Sequence, residues 1–238
     1  TFQTANKTLL KDVSFEIHPN EILGIAGVEG NGQTELLNAF VRPQNTNGKY
    51  FGQIQFKNVN LLNLTSSQIR KLEVSYFPED RIHQGLLLHA NVLENFLLGK
   101  QFHSEFSKKG WILKKQVHAA VQTIFDQFDV RPKNEKLLLE KFSGGNQQKF
   151  VVGRELYHHP NLLIAAQPTR GVDIGAIETI HTEFLKQREK GTSVLLISSE
   201  LDELLKLSDR ILVLFNGKIM GNILRKDFNE KEIGILMT

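Results

Sequence analysis

Residues 21–40 constrain this chain more than any other stretch. Glu21-Ile22-Leu23-Gly24-Ile25-Ala26 is a short, almost wholly apolar run, the pattern of a strand covered on both faces. Gly27-Val28-Glu29-Gly30-Asn31-Gly32-Gln33-Thr34 follows it, and Glu35-Leu36-Leu37-Asn38-Ala39-Phe40 reads as helix. Gly30 and Gly32 permit the backbone turns that point successive N–H groups inward. With a helix N-terminus behind them, such amides form an anion cradle. The loop matches G-x-x-x-x-G-K-[ST] except that Gln33 stands in the lysine position. A unit charge at ~4 Å is worth ~4 kcal/mol at an effective dielectric near 20, before desolvation is subtracted. Gln33 donates a hydrogen bond but neutralises no charge, and Thr34 is the candidate Mg²⁺ ligand. Taken alone, the loop fits a structural turn as well as a phosphate site.

The rest of the chain alternates strand and helix. Residues 13–17 and 50–56 show the period of half-buried strands, and 74–77 is a strand that stops at Pro78. Helices are expected over 66–72, 91–98 and 113–128, and residues 83–155 read as a mostly helical insertion. Strands over 161–166, 193–198 and 210–215 then alternate with helices over 174–190 and 201–207, closed by a turn at Asn216-Gly217. This order implies an α/β fold with a mostly parallel sheet covered on both faces. The 16 Phe residues read as core. At 238 residues the length fits one large domain or two small ones. The absence of Cys excludes disulfides, thiolate metal sites and a Cys nucleophile, and fits a reducing compartment. Lys and Arg exceed Asp and Glu by 29 to 26, a net +3 that describes a solvated surface rather than a nucleic-acid footprint. No apolar run approaches the ~18 residues of a membrane span. A chain opening at Thr1 rather than Met reads as part of a longer one.

Five segments occur in a fixed order: the loop at 27–34; Pro78-Glu79-Asp80-Arg81; Phe142-Ser143-Gly144-Gly145-Asn146-Gln147-Gln148-Lys149; the strand ending Ala166-Gln167-Pro168-Thr169-Arg170-Gly171-Val172-Asp173; and Ile197-Ser198-Ser199-Glu200. In this order and spacing the chain resembles an ATP-binding-cassette (ABC) domain over its whole length. The specific segments, above all Ser-Gly-Gly-Asn-Gln-Gln-Lys, resemble the second cassette of the ATPase subunit of bacterial monosaccharide or nucleoside importers. The resemblance implies a P-loop cassette fold: a mostly parallel core, an antiparallel β subdomain and a helical subdomain. It implies ATP and Mg²⁺ as cofactors, a second cassette fused on the N-terminal side, integral membrane permease subunits as partners, and a peripheral place on the cytoplasmic face of the membrane. It implies no nucleic-acid partner. Gly27, Gly30, Asn31, Gly32, Gln33, Thr34 and Glu79 would face the chain's own nucleotide. Ser143, Gly144, Gly145, Asn146 and Gln147 would face the nucleotide of the partner cassette, with Asp173 at the interface.

The departures from that pattern cluster in one site. The strand before Pro168 should end Asp-Glu but ends Ala166-Gln167, so no carboxylate is present to orient Mg²⁺ or to accept a proton from the attacking water. Losing a general base typically costs about 10²–10⁴ in rate. Glu79 stands where a glutamine is usual. Glu200 stands at the switch-histidine position; the resemblance implies that a glutamate is normal there in second cassettes of this subfamily, yet its carboxylate would repel a γ-phosphate. Gln33 and Ala166 together favour a site that has drifted out of hydrolysis over a single engineered change at Gln167. The expectation is a domain that lends half of a working site and holds an inactive one. The alternatives are a slow, self-sufficient ATPase relying on Gln167, and a soluble regulatory ABC protein.

Other residues carry two readings each. Asp173 is a helix cap, an interface group, or both. Asp80-Arg81 is a surface ion pair or a face toward the membrane partner. Phe2 is an adenine-stacking ring or part of a frayed terminus. His158-His159 diverge on a helix and read as no metal site. Lys108-Lys109 and Lys114-Lys115 read as solvated charge.

Overall fold

The computed structural model describes residues 1–237. In chain order the main elements are β1 (Ile22–Ala26), α1 (Gln33–Val41), α2 (Ser66–Lys71), β2 (Val74–Phe77), α3 (Val92–Phe96), α4 (Lys114–Gln127), α5 (Gly144–Leu156), β3 (Leu162–Ala166), α6 (Ile174–Glu189), β4 (Ser193–Ser198), α7 (Leu201–Leu207), β5 (Arg210–Phe215), β6 (Lys218–Leu224) and α8 (Glu230–Leu236). They form two compact units. The first holds Thr1–Tyr76, Asn161–Gln167 and the chain from Leu185 onward; the second holds Phe77–Pro160 and Pro168–Phe184.

The first unit is built on a six-stranded sheet of order β6-β5-β1-β4-β3-β2. β1 is parallel to both neighbours, with Ile22 opposite Val194 of β4 and Leu23 opposite Arg210 of β5. Five consecutive buried residues in β1 are what a strand with both faces covered requires. Leu23 and Ile25 join Leu36, Leu37, Phe40, Leu195, Ile197, Leu212 and Leu214 in one apolar core. Gly24 points to the other face, where a Cβ would lie 2.4 Å from Ser208 Oγ just past α7, so the helix approaches the strand only because that side chain is missing. β6 returns antiparallel to β5. Asn216 and Gly217, with φ of 47° and 73°, make the turn that a two-residue hairpin needs.

Two expected strands are corrected. Residues 13–17 are extended and alternate in burial, with Val13, Phe15 and Ile17 on the core, but they join no ladder. Asp12 turns the chain at φ 52°, and side chains hold the backbone instead: Arg210 donates to Glu16 O at 2.7 Å and His18 N–H donates to Glu21 Oε2 at 2.7 Å. The run over 50–56 is split by Gly52 at φ 106°, leaving strands only at Lys49–Tyr50 and Gln55–Phe56. The hairpin strand β6 and helix α8 were not foreseen. Phe2 is neither frayed nor free for adenine. It is buried in a short strand pairing Thr8–Leu10 and Lys49–Tyr50, its ring 4.4 Å from that of Tyr50. Of the 16 Phe, only Phe51 and Phe102 are exposed.

The second unit centres on α5, whose residues are buried almost throughout. Asn95 is fully buried and fully satisfied: its amide donates to the carbonyls of Leu87, Ala90 and Asn91, and its oxygen accepts from Leu87 N–H. The Arg154–Glu155 pair, at 3.0 Å, is buried beside it, with Arg154 also donating to Asn95 O. A short hairpin, Ser107–Lys108 with Trp111–Ile112, projects between α3 and α4. Among the described residues no helix is long and apolar enough to cross a membrane.

Two stability predictions follow from these contacts. Glu21 and Arg210 form a bidentate pair at 2.8 and 3.2 Å with both side chains largely buried. Burial pushes the Glu21 carboxyl up, but the Arg210 guanidinium and the His18 N–H outweigh it and hold the carboxyl below the ordinary glutamate range. The unfolded chain therefore takes up this proton first. The stabilisation is full above the ordinary range and is lost as pH falls through the folded value. Glu21→Gln should cost about 3 kcal/mol at neutral pH, measured as a lower urea midpoint, and its deficit against the native chain should shrink as pH falls. In the second unit, a Cβ on Gly153 would lie 2.7 Å from Ile124 and 2.9 Å from Phe128, both fully buried. Overpacking of ~1–3 kcal/mol exceeds the ~1 kcal/mol that Ala adds in helix propensity, so Gly153→Ala should lower the midpoint of thermal unfolding.

Candidate functional site

The expected site residues fall into two groups, one per unit. Gly27, Gly30, Asn31, Gly32, Gln33, Thr34, Gln167 and Glu200 belong to the first; Glu79, Ser143, Gly144, Gly145, Asn146, Gln147 and Asp173 belong to the second.

In the first unit the loop leaves β1 and enters α1. Gly30 and Gly32 stand at φ 90° and 108°, conformations a side chain would strain. Gly32 is the N-cap of α1 and offers no side-chain acceptor, so the first helical amides remain available to an anion. The loop is gripped by the β5–β6 turn. Asn31 Oδ1 accepts from Asn216 N–H at 3.0 Å, and Asn31 O accepts from Gly217 N–H at 2.9 Å. Asn31 is 8 % exposed, and its Nδ2 is a buried donor with no partner. Gln33 is turned back on its own loop: Nε2 donates to Val28 O at 2.9 Å and lies against Gly27, where a Cβ would be 2.4 Å away. Its Oε1 is buried and has no partner. Thr34 is exposed on the first turn of α1. The amides and Asn31 Nδ2 fit an anion; the orphan oxygen of Gln33 does not. Mg²⁺ fits poorly. Thr34 is the one loop hydroxyl offered, Ala166 is buried with no oxygen in its side chain, and the described residues contain no grouping of three or more His, Cys, Asp or Glu suited to a metal.

Gln167 follows β3 with φ 47° and donates its N–H to Ile197 O at 2.8 Å. Its side-chain oxygen accepts from Ser199 N–H at 3.1 Å and from Ser199 Oγ at 3.2 Å. The amide NH₂ is thus the end left to meet a water, and a group that only donates cannot take the water's proton. Glu200 sits exposed at the N-cap of α7, its side chain capping nothing.

In the second unit Ser143 is the N-cap of α5. Its hydroxyl accepts from Asn146 N–H at 3.4 Å and from Asn146 Nδ2 at 2.9 Å. Asn146 in turn accepts from Arg131 N–H at 2.7 Å, and Gln147 Nε2 donates to Leu139 O at 2.9 Å. Gln148 donates to Pro168 O at 2.5 Å. These bonds fix the segment's side chains and leave the Gly144 and Gly145 amides, at the positive end of a 13-residue helix, without an intrahelical acceptor. Asp173 caps α6 through Ala176 N–H at 2.9 Å, and its other oxygen lies where a Gly145 Cβ would be, 2.4 Å away. Cap and neighbour of the Ser143 segment are thus one residue.

Sequence reasoning missed how the Pro-Glu-Asp-Arg segment is used. Asp80 does not pair with Arg81. It caps the following turn through Ile82 and His83 N–H and holds the His83 ring at 2.7 Å, contacts that keep its carboxyl below the usual range. Glu79 pairs with Arg170. Arg81 Nε donates to Gln147 Oε1 at 3.4 Å, and its guanidinium lies against Gly144, where burial lowers its pKa. No local signal announced the Arg81–Gln147 and Glu79–Arg170 pairings, because they join residues 66 and 91 apart. His158 packs in an aromatic cluster, its ring 4.4 Å from that of His103 and 5.4 Å from that of Phe106.

Known proteins of similar sequence and fold point to one family. The sequence pattern of the ABC transporter family matches residues 10–170. The guanosine import ATP-binding protein NupO of Bacillus subtilis is 40% identical over 228 residues, covering 96% of this chain and 44% of that protein. The ribose import ATP-binding protein RbsA of Bacillus licheniformis is 33% identical over 237 residues, covering 99% of this chain and 47% of that protein. The chain thus spans less than half the length of these curated relatives. Among solved structures, a nucleotide-free ATP-binding cassette from an ABC transporter superposes with a TM-score of 0.79 at 24% identity, covering 97% of this chain and 90% of that one, a likeness of fold. The chain belongs to the ABC transporter family, as an ATP-binding domain related to the ATPases of sugar and nucleoside importers.

Proposed function

We propose that this chain is one nucleotide-binding cassette of an importer for a nucleoside or sugar, that its own phosphate loop does not hydrolyse ATP, and that its Ser143 segment completes the ATP site of a partner cassette. One observation carries the reading. The Gly144 and Gly145 amides stand free at a well-built helix start, while the home loop has Gln33 folded onto Val28 O, Ala166 in place of a metal carboxylate, and Gln167 able only to donate. In this reading the chain is a single cassette, with residues 83–155 as its helical subdomain. Its partners are a second cassette, fused on the N-terminal side, and integral membrane permease subunits on the cytoplasmic face. The lengths of NupO and RbsA, more than twice the matched portion, support a second cassette in the same polypeptide.

Each residue has a part in this proposal. ATP supplies the phosphoanhydride that is cleaved, with Mg²⁺, in the partner's site. The Ser143 hydroxyl and the two glycine amides bind the terminal phosphate from across the interface, where fixed donors in a dry site act without reorganising. Asn146 and Gln147 hold the segment in register, and Asp173 ties it to α6 at the interface. Gly27, Gly30, Asn31, Gly32, Gln33 and Thr34 form a cradle that accepts phosphate weakly, with Glu79 and Glu200 adding negative charge where a glutamine and a histidine would serve.

In the assembled transporter, Ser143→Ala should lower ATPase activity by about 10²-fold or more, the cost of one lost donor to developing charge. Thr34→Ala should leave it within about twofold. Phosphate release under saturating ATP measures both, and equal sensitivity at the two positions would refute the reading. The 238-residue chain alone should show no turnover above background, and Mg²⁺ should change its ATP affinity little; brisk unaided hydrolysis abolished by Gln167→Ala would favour the self-sufficient enzyme instead.

A further inference from the structure

The hairpin between α3 and α4 carries a surface that neither the nucleotide sites nor the core uses. Its strands, Ser107–Lys108 and Trp111–Ile112, are joined by Lys109 and Gly110 at φ 50° and 84°, the tight turn of a two-residue hairpin. The base is fixed: Leu113 N–H donates to Phe106 O at 2.8 Å, and Phe106 is fully buried with its ring 5.0 Å from that of Phe96. On this rigid stem Trp111, the only tryptophan of the chain, is 80% exposed, and Ile112 is 38% exposed. Lys108 is the cross-strand partner of Trp111, Lys109 is at the tip, and Lys114 and Lys115 open α4 just behind.

The charge here is uncompensated. All four lysines are exposed and none is in an ion pair among the described residues. No Asp or Glu occurs from 106 to 125, and the preceding acid, Glu105, is engaged by Tyr157 and His158. Lys114 and Lys115 also occupy the first turn of a 14-residue helix; that turn holds no acidic residue and its N-cap, Leu113, gives no side-chain cap, and the helix dipole there disfavours cations. A positive cluster at an unfavourable helix start, close in the chain to an exposed indole, is suited to a surface both negative and apolar beneath.

We propose that this hairpin is a membrane-surface anchor: Trp111 and Ile112 enter the headgroup region of an anionic bilayer while Lys108, Lys109, Lys114 and Lys115 pair with its phosphates. Indole rings favour that interfacial depth, and lysine stems run along apolar surface with the ammonium in the headgroup layer. A nucleic acid would satisfy the lysines but not Ile112. The proposal stands apart from the nucleotide reading, since neither ATP nor permease takes part in the contact.

The test uses the 238-residue chain and lipid vesicles, with the Trp111 emission as reporter. At low salt, vesicles containing phosphatidylglycerol should shift that emission to the blue and sediment the protein. Pure phosphatidylcholine vesicles should do neither, and ~0.5 M salt should reverse the binding. Replacing the four lysines by Gln should weaken partitioning about fivefold per lysine, two to three orders of magnitude in all, while replacement by Arg should preserve it. Trp111→Ala should reduce co-sedimentation, and circular dichroism should show every variant folded. Absence of any shift with anionic vesicles at low salt overturns the proposal, as does equal binding to neutral vesicles. Undiminished binding by a folded four-Gln variant, or an equal shift with a single-stranded oligonucleotide, overturns it too.

Discussion

β1 is paired on both sides by parallel strands and covered on both faces, and this confinement organises the first unit. The chain can leave such a strand only at its end. Where it leaves, a Cβ on Gly27 would sit 2.6 Å from Leu214 O of the neighbouring strand, so the turn must begin with glycine. The β5–β6 turn then holds the loop at Asn31, by main chain and side chain together. In the proposed function the anion cradle is a by-product of packing a buried parallel strand against the helix that follows it.

The helix starts show how the same backbone property is put to different use. α1 begins at a glycine with no side-chain acceptor, α5 at Ser143, and α6 under the Asp173 carboxylate. Ser143 occupies the amides of later residues and leaves the first two glycine amides available. Asp173 supplies a fixed negative charge, which a helix N-terminus stabilises. In the proposed function the first two arrangements differ in what surrounds them. The Ser143 segment is braced by Asn146 and Gln147, whereas the loop of α1 is braced partly by Gln33, the side chain standing where charge would be needed.

Much of this was legible from local pattern. The buried strand, the glycine loop and its helix appear where the sequence places them, since apolar runs and glycine spacing act over a few residues. The short helices begin at side-chain caps, Thr65 before α2 and Asn91 before α3, both in capping boxes. Strands were less secure. Residues 13–17 have the right alternation, yet burial of every second side chain does not supply a hydrogen-bonded partner, and Asp12 turns the backbone away. The alternation over 50–56 concealed the break at Gly52 for the same reason.

What the amino-acid order fixed without help was the periodicity of the elements, the glycine loop with Gln33 at its end, and the segment Ser143-Gly144-Gly145 with its helix start. Those depend on neighbours in the chain. Tertiary structure alone decided that Glu79 pairs with Arg170 and Arg81 with Gln147, that Asp173 reaches Gly145, and that Phe2 is buried rather than available to a ligand. Charged and amide side chains find partners by proximity across tens of residues, and no local propensity encodes which of several equivalent partners the fold will bring within reach.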